Sequence, residues 1–138
     1  MNVIARRTIL VAEDNEISRD LLVHQLRMLR REAVAVEDGS QAIRAWREGD
    51  FSLLMTDLEM PGLNGYELAC LIRSESVRAD APIILVTAGA GAADSPHHAA
   101  AAISDILSKP ASLAALRGML ERWLGPAAPA EPESAPRP

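Results

Sequence analysis

Four short apolar runs in this chain end in side chains that together can do chemistry: Glu13 and Asp14 close one run, Asp57 another, Thr87 a third, and Lys109, followed by Pro110, a fourth. Two like charges about 4 Å apart repel by about 4 kcal/mol at an effective dielectric of about 20, so carboxylates gathered in one place need a cation. Lys109 brings one positive charge. Short side chains with hard oxygen donors also suit a divalent ion, and Mg²⁺ takes one or two carboxylates with waters and phosphate oxygens completing its shell. A carboxylate beside a metal and a lysine is a nucleophile toward phosphorus that needs no prior deprotonation. The chemistry implied is phosphoryl transfer onto Asp57, with Thr87 donating a hydrogen bond to one phosphoryl oxygen, Lys109 pairing with a second and the metal holding a third.

Each residue alone has an ordinary structural reading. Asp57 suits a turn or an N-cap, and Glu13-Asp14-Asn15 suits capping of the helix that follows, where negative charge is favoured. Thr87 is a β-branched strand residue and Lys109 a solvated lysine. Their recurrence at successive strand ends carries the chemical reading, because in open parallel sheets ligands bind at the carboxyl ends of strands. His97 and His98 fall in a predicted first helical turn with no acidic partner at ligand spacing, and are expected to face solvent.

The elements that must position these groups alternate regularly. Residues 8–12, 34–37, 51–56, 82–87 and 104–108 read as short buried strands. Between and after them come five helical segments. In residues 17–29 the side chains of Ile17, Leu21, Leu22, Leu26 and Leu29 form an apolar stripe, with Val23 and Met28 left off it. Asp38-Gly39-Ser40 opens a helix through Trp46 that Gly49 and Asp50 stop, and Asn64 with Glu67 resembles a capping box for a helix to about Ser76. Ser95-Pro96 starts an alanine-rich helix to about Ala102, and Ser112 caps a last helix with Leu113, Leu116, Met119, Leu120 and Trp123 on one stripe, stopped by Gly125-Pro126. Connections this short imply parallel βαβ units: an α/β fold, doubly wound, with a five-stranded parallel sheet covered by helices on both faces. Residues 1–124 form one domain. Residues 125–138, rich in proline and alanine without apolar period, are expected to be a disordered tail or linker.

Composition bounds the alternatives. At 138 residues, 49% apolar and 24% charged, the chain suits one soluble core. No run approaches the roughly 18 apolar residues of a membrane span, and residues 1–7 lack the apolar segment of a secretory signal, so a cytoplasmic location and no membrane contact are expected. A net charge of −5 disfavours a nucleic-acid surface. Arg27, Arg30 and Arg31 instead close the first helix, where cations suit the macrodipole. The lone Cys70, among Leu68, Ala69, Leu71 and Ile72, is expected to pack in the interior.

Across about residues 8–124 the chain resembles the receiver domain of two-component response regulators and hybrid histidine kinases. The resemblance rests on Ile9 to Asn15, on Met55 to Leu68 with its Asp57-Leu58-Glu59-Met60-Pro61-Gly62 core, on Val86-Thr87-Ala88 and on Leu107-Ser108-Lys109-Pro110. It implies a flavodoxin-like sheet of order 2-1-3-4-5, Asp57 as phosphoacceptor, Glu13 and Asp14 as the acidic pair, Thr87 as the switch hydroxyl and Lys109 as the phosphate-sensing lysine. It also implies Mg²⁺ held by Glu13, Asp14, Asp57 and the backbone carbonyl of Glu59, and a cis Lys109-Pro110 bond. The implied partner is a histidine kinase or histidine phosphotransfer domain, docking on the first helix, and the receiver assists its own phosphorylation and dephosphorylation rather than acting as a conventional enzyme. Two positions depart from the family pattern. Ile106 stands where an aromatic ring is common, so the switch is expected to be a loop displacement over residues 87–91 or a change in partner affinity. Ala102 stands where glycine commonly ends a helix, so that turn is expected to be distorted. Rival readings fit less well: a haloacid-dehalogenase-like phosphatase resembles Asp-x-Asp on its first strand, a phosphorylation-independent scaffold has no need of all five site residues, and a flavin site wants backbone donors where Glu13-Asp14 stand.

Overall fold

The computed structural model describes residues 8–75, 80–88 and 102–127. Five strands, β1 (Thr8–Ala12), β2 (Ala33–Val36), β3 (Phe51–Asp57), β4 (Ile83–Thr87) and β5 (Asp105–Ser108), form one parallel sheet in the order β2-β1-β3-β4-β5. Four helices lie among the described residues: α1 (Glu16–Met28), α2 (Gly39–Glu48), α3 (Gly65–Ser74) and α4 (Leu113–Leu124). The helix expected from Ser95 lies outside the described residues, as do His97, His98 and residues 128–138 of the expected tail.

The strands are apolar on both faces because both faces are covered. Ile9 and Val11 of β1, Leu53 and Met55 of β3 and Ile84 and Val86 of β4 share one core with Leu22 and Leu26 of α1 and Leu116 and Leu120 of α4. The alternate residues, Leu10, Leu54 and Leu85, pack on the other face with Trp46 of α2 and Leu68 and Ile72 of α3. Trp46 and Phe51 stack there with ring centroids 6.1 Å apart. Side-chain caps fix every described helix start. Asn15 Oδ1 accepts from the Ser18 N–H, Asp38 Oδ1 from Gln41, Asn64 Oδ1 from Glu67 and Ser112 Oγ from Ala115. Glu67 returns a bond from the Asn64 N–H, completing the expected capping box.

The structure corrects several expectations. Ile17 and Leu21, expected on the buried stripe of α1, are 80% and 46% exposed. Of the α1 stripe only Leu22 and Leu26 are buried, in the core they share with β1, β3 and β4. Cys70 is exposed, not packed, because Leu68, Ala69 and Ile72 take the inner face of α3 and turn residue 70 outward. Arg31, expected to close α1, lies three residues past Met28, the last residue of that helix. It is buried, and its Nη2 donates to the Gly125 carbonyl at 2.6 Å, tying the start of β2 to the end of α4. Strand β2 begins one residue earlier than expected, α2 runs two residues further, and α3 stops at Ser74. Ala102 has φ +53°, the left-handed conformation its position demands of a glycine. No helix among the described residues is long and apolar enough to cross a membrane.

Candidate functional site

The site lies at the carboxyl edge of the sheet, where β1 and β3 are neighbours and the chain leaves them toward opposite faces. Strand β1 delivers Glu13 and Asp14, and β3 delivers Asp57. Register places Ala12 beside Thr56 and Asp57 beside Val86, so the three acids emerge from adjacent strands at one level. One carboxylate oxygen from each lies within 4.8 Å of the others. The acids differ in burial: Glu13 is 2% exposed, whereas Asp14 faces solvent and Asp57 is intermediate.

Lys109 joins this cluster from the end of β5. Its Nζ stands 2.7 Å from Glu13 Oε1 and 3.2 Å from Asp57 Oδ2. Its backbone N–H donates to the Thr87 carbonyl, and the Lys109-Pro110 bond is cis as expected. Burial alone would lower the Lys109 pKa. The hydrogen bond to Glu13 and then the charge of Asp57 outweigh that effect, and the ammonium is held above its ordinary range. Thr87 is buried at the end of β4, across from Ser108, and residues 89–91 of the loop that follows it lie outside the described residues. Ile106 packs against the core on the α2 and α3 face.

Both Glu13 oxygens are engaged, Oε1 by Lys109 and Oε2 by the Asn15 N–H at 3.0 Å. A metal ligated directly would therefore draw on Asp14 and Asp57, with Glu13 beside them. Three carboxylates of this kind suit a hard divalent cation and not a soft one. Glu59, two residues past Asp57, is exposed on the loop that leaves the end of β3.

Two polar residues that the α1 pattern leaves for solvent are instead held against the neighbourhood of the site. Arg19 Nη1 donates to the Glu13 carbonyl, and Gln25 Nε2 donates to the Ala111 carbonyl, holding the turn after Lys109 against α1. Arg19 stands one turn into α1 and Gln25 near its end, and their polar character on a helix that follows the acidic pair is the available signal. The ordinary reading of the first acidic turn was half right: Asn15 is the cap of α1, which leaves Glu13 and Asp14 to the cluster. A groove of about 320 Å³ opens between α1 and the turn after β5, lined by Glu13, Leu21, Gln25, Ala88, Lys109 and Pro110.

The family model for the response regulator receiver domain matches residues 9–121. The virulence sensor protein BvgS of Bordetella pertussis is 34% identical over 135 residues, covering 92% of this chain and 11% of that protein. The chain thus spans about a ninth of the length of that relative. Among solved structures, the receiver domain of sensor histidine kinase PA1611 from Pseudomonas aeruginosa PAO1, with a magnesium ion coordinated in its active-site cleft, superposes with a TM-score of 0.80 at 33% identity, covering 86% of this chain and 98% of that one. The co-crystal structure of the Saccharomyces cerevisiae histidine phosphotransfer protein Ypd1 with the receiver domain of Ssk1 matches with a TM-score of 0.74 at 28% identity, covering 85% and 88%.

Proposed function

The chain belongs to the response regulator receiver domain family, and on that premise we propose that it is a phosphoacceptor of a two-component phosphorelay, modified on Asp57 and switched by the modification. The observation that carries this reading is the position of Lys109, bridging Glu13 and Asp57 inside a cluster of three carboxylates. A lysine and three acids in contact at a sheet edge make a poor structural motif and a good phosphoryl-transfer site.

In the proposed reaction an Asp57 carboxylate oxygen attacks the phosphorus of a phosphohistidine donor. The new O–P bond forms as the P–N bond breaks, and its electron pair returns to the imidazole. Lys109, already within 3.2 Å of Asp57, pairs with a phosphoryl oxygen, and Thr87 donates a hydrogen bond to another. Asp14, Asp57 and the Glu59 carbonyl, with Glu13 beside them, would hold Mg²⁺, which when bound would supply charge neutralisation for the incoming group. Arg19 and the Asn15 N–H fix Glu13, and Glu13 keeps Lys109 aimed inward. The donor is a histidine kinase or histidine phosphotransfer domain. The exposed apolar residues of α1, Ile17 and Leu21, the latter lining the groove with Pro110, support that face as its docking surface. Because Ile106 is packed inward with no ring to recruit, we assign the switch to the segment after Thr87. Residues 125–138 serve as tail or linker, and the domain works in the cytoplasm.

The test is incubation with acetyl phosphate and Mg²⁺ followed by intact-mass measurement. One phosphoryl adduct is expected on the wild type and none on Asp57→Asn. Absence of any adduct on the wild type, with beryllofluoride also failing to bind, would leave the scaffold reading in its place.

A further inference from the structure

We propose that Gly39, at the start of α2 and outside the acidic cluster, is a positioning residue for the loop that carries the Glu59 carbonyl. The inference rests on the receiver reading above and deepens its metal site. A methyl group at Gly39 would stand 2.5 Å from Leu63 Cβ and 2.6 Å from the Leu63 carbonyl oxygen. Both contacts are with backbone or with an atom fixed to it, so neither yields by a side-chain rotation.

The loop pressed by this contact, residues 58–64, has little freedom to absorb a push. Its ends are closed by the Gly65 N–H donating to the Leu58 carbonyl at 2.8 Å and by the Asn64 capping box. Met60 is buried, and Leu58 and Leu63 pack against the core. Gly65 repeats the device at the other end: a methyl group there would lie 2.5 Å from the Asp57 carbonyl oxygen and 3.0 Å from Leu58 Cα. Two side-chain-free positions thus let α2 and α3 clamp the segment following Asp57. The clamp sets where the Glu59 carbonyl stands relative to Asp14 and Asp57. Gly39 is the more informative of the two, since it touches neither Asp57 nor any acidic residue of the site.

The experiment is Mg²⁺ titration by calorimetry on the full chain, with thermal unfolding measured without metal. Gly39→Ala is expected to weaken Mg²⁺ by about tenfold, the scale on which outer-shell partners act. Met119→Ala, a truncation in the core on the opposite face of the sheet, is expected to lower stability while leaving Mg²⁺ affinity within about twofold. Asn64→Ala, which opens the surface capping box without a clash, is the second variant and is expected to weaken Mg²⁺ in the same direction. Should Gly39→Ala not fold, Asn64→Ala decides. Wild-type affinity in the folded variants overturns the positioning role alone, whereas a wild-type chain that binds no Mg²⁺ overturns the receiver reading and this inference with it.

Discussion

The Lys109 ammonium stands closer to Glu13 than to Asp57, at 2.7 Å against 3.2 Å, and the nearer partner is the more buried carboxylate. Under the proposed function, Lys109 would thus be parked, before any phosphoryl group arrives, on an acid other than the acceptor. Phosphorylation of Asp57 would present new oxygens to a lysine already in reach, so its response needs a shift of partner and no long swing.

Removing Lys109 leaves the carboxylates to repel one another. Lys109→Ala is expected to lose about 1–3 kcal/mol of stability in urea without metal, less than a fully buried pair because the lysine is partly exposed. Saturating Mg²⁺ should raise the Tm of this variant by more than it raises that of the wild type. Equal increments would mean that metal and lysine do not share the same carboxylates.

The stability contributed by Lys109 has a defined alkaline limit. Its folded pKa is raised above the ordinary 10.5, because the bond to Glu13 and the charge of Asp57 outweigh burial. A raised lysine contributes fully below its unfolded pKa, and that contribution is lost as pH climbs through the folded value. The difference in unfolding free energy between wild type and Lys109→Gln should therefore be flat at neutral pH and shrink above about pH 10.5. A difference that widens there would contradict the assignment.

Ala102 carries φ +53° in a turn whose carbonyl accepts from the Arg73 guanidinium at 2.8 Å. Ala102→Gly keeps that carbonyl and removes the left-handed penalty, so a gain of about 1 kcal/mol is expected in chemical denaturation. Phosphoryl uptake on Asp57 should be unaltered, since the turn lies at the amino end of β5, away from Lys109.

Gly118 lies inside α4 on its exposed face, with no atom within 4 Å of a methyl group placed there. Gly118→Ala should stabilise the domain by about 0.5–1 kcal/mol through helix propensity alone. Opposite behaviour is expected at Gly39, where the same change meets Leu63 at 2.5 Å. A stability gain at both positions would refute the contact described there.

Much of the fold was legible because its signals are local. Asn64 with Glu67, Ser112, and the apolar runs ending at Asp57 and Thr87 each specify an element from within a few residues, and each is found where expected. Cys70 was misplaced by its apolar sequence neighbours, although Leu68, Ala69 and Ile72 define an inner face of α3 that excludes it. Ile17 and Leu21 have a different cause. Helical periodicity tells which residues share a face but not whether anything lies opposite that face, and of the α1 stripe only Leu22 and Leu26 are buried.

The sequence by itself determined the chemistry available: three carboxylates, a hydroxyl and a lysine at strand ends, in an order that only a parallel sheet brings together. Tertiary structure alone decided how they are shared. The pairing of Glu13 with Lys109, the tether from Arg31 to Gly125 and the clearance at Gly39 all join residues from separate elements. Their partners are chosen by the packing of those elements and not by spacing along the chain. Local pattern fixes a side chain's direction, but which charge it meets depends on strand order and on how closely the helices approach.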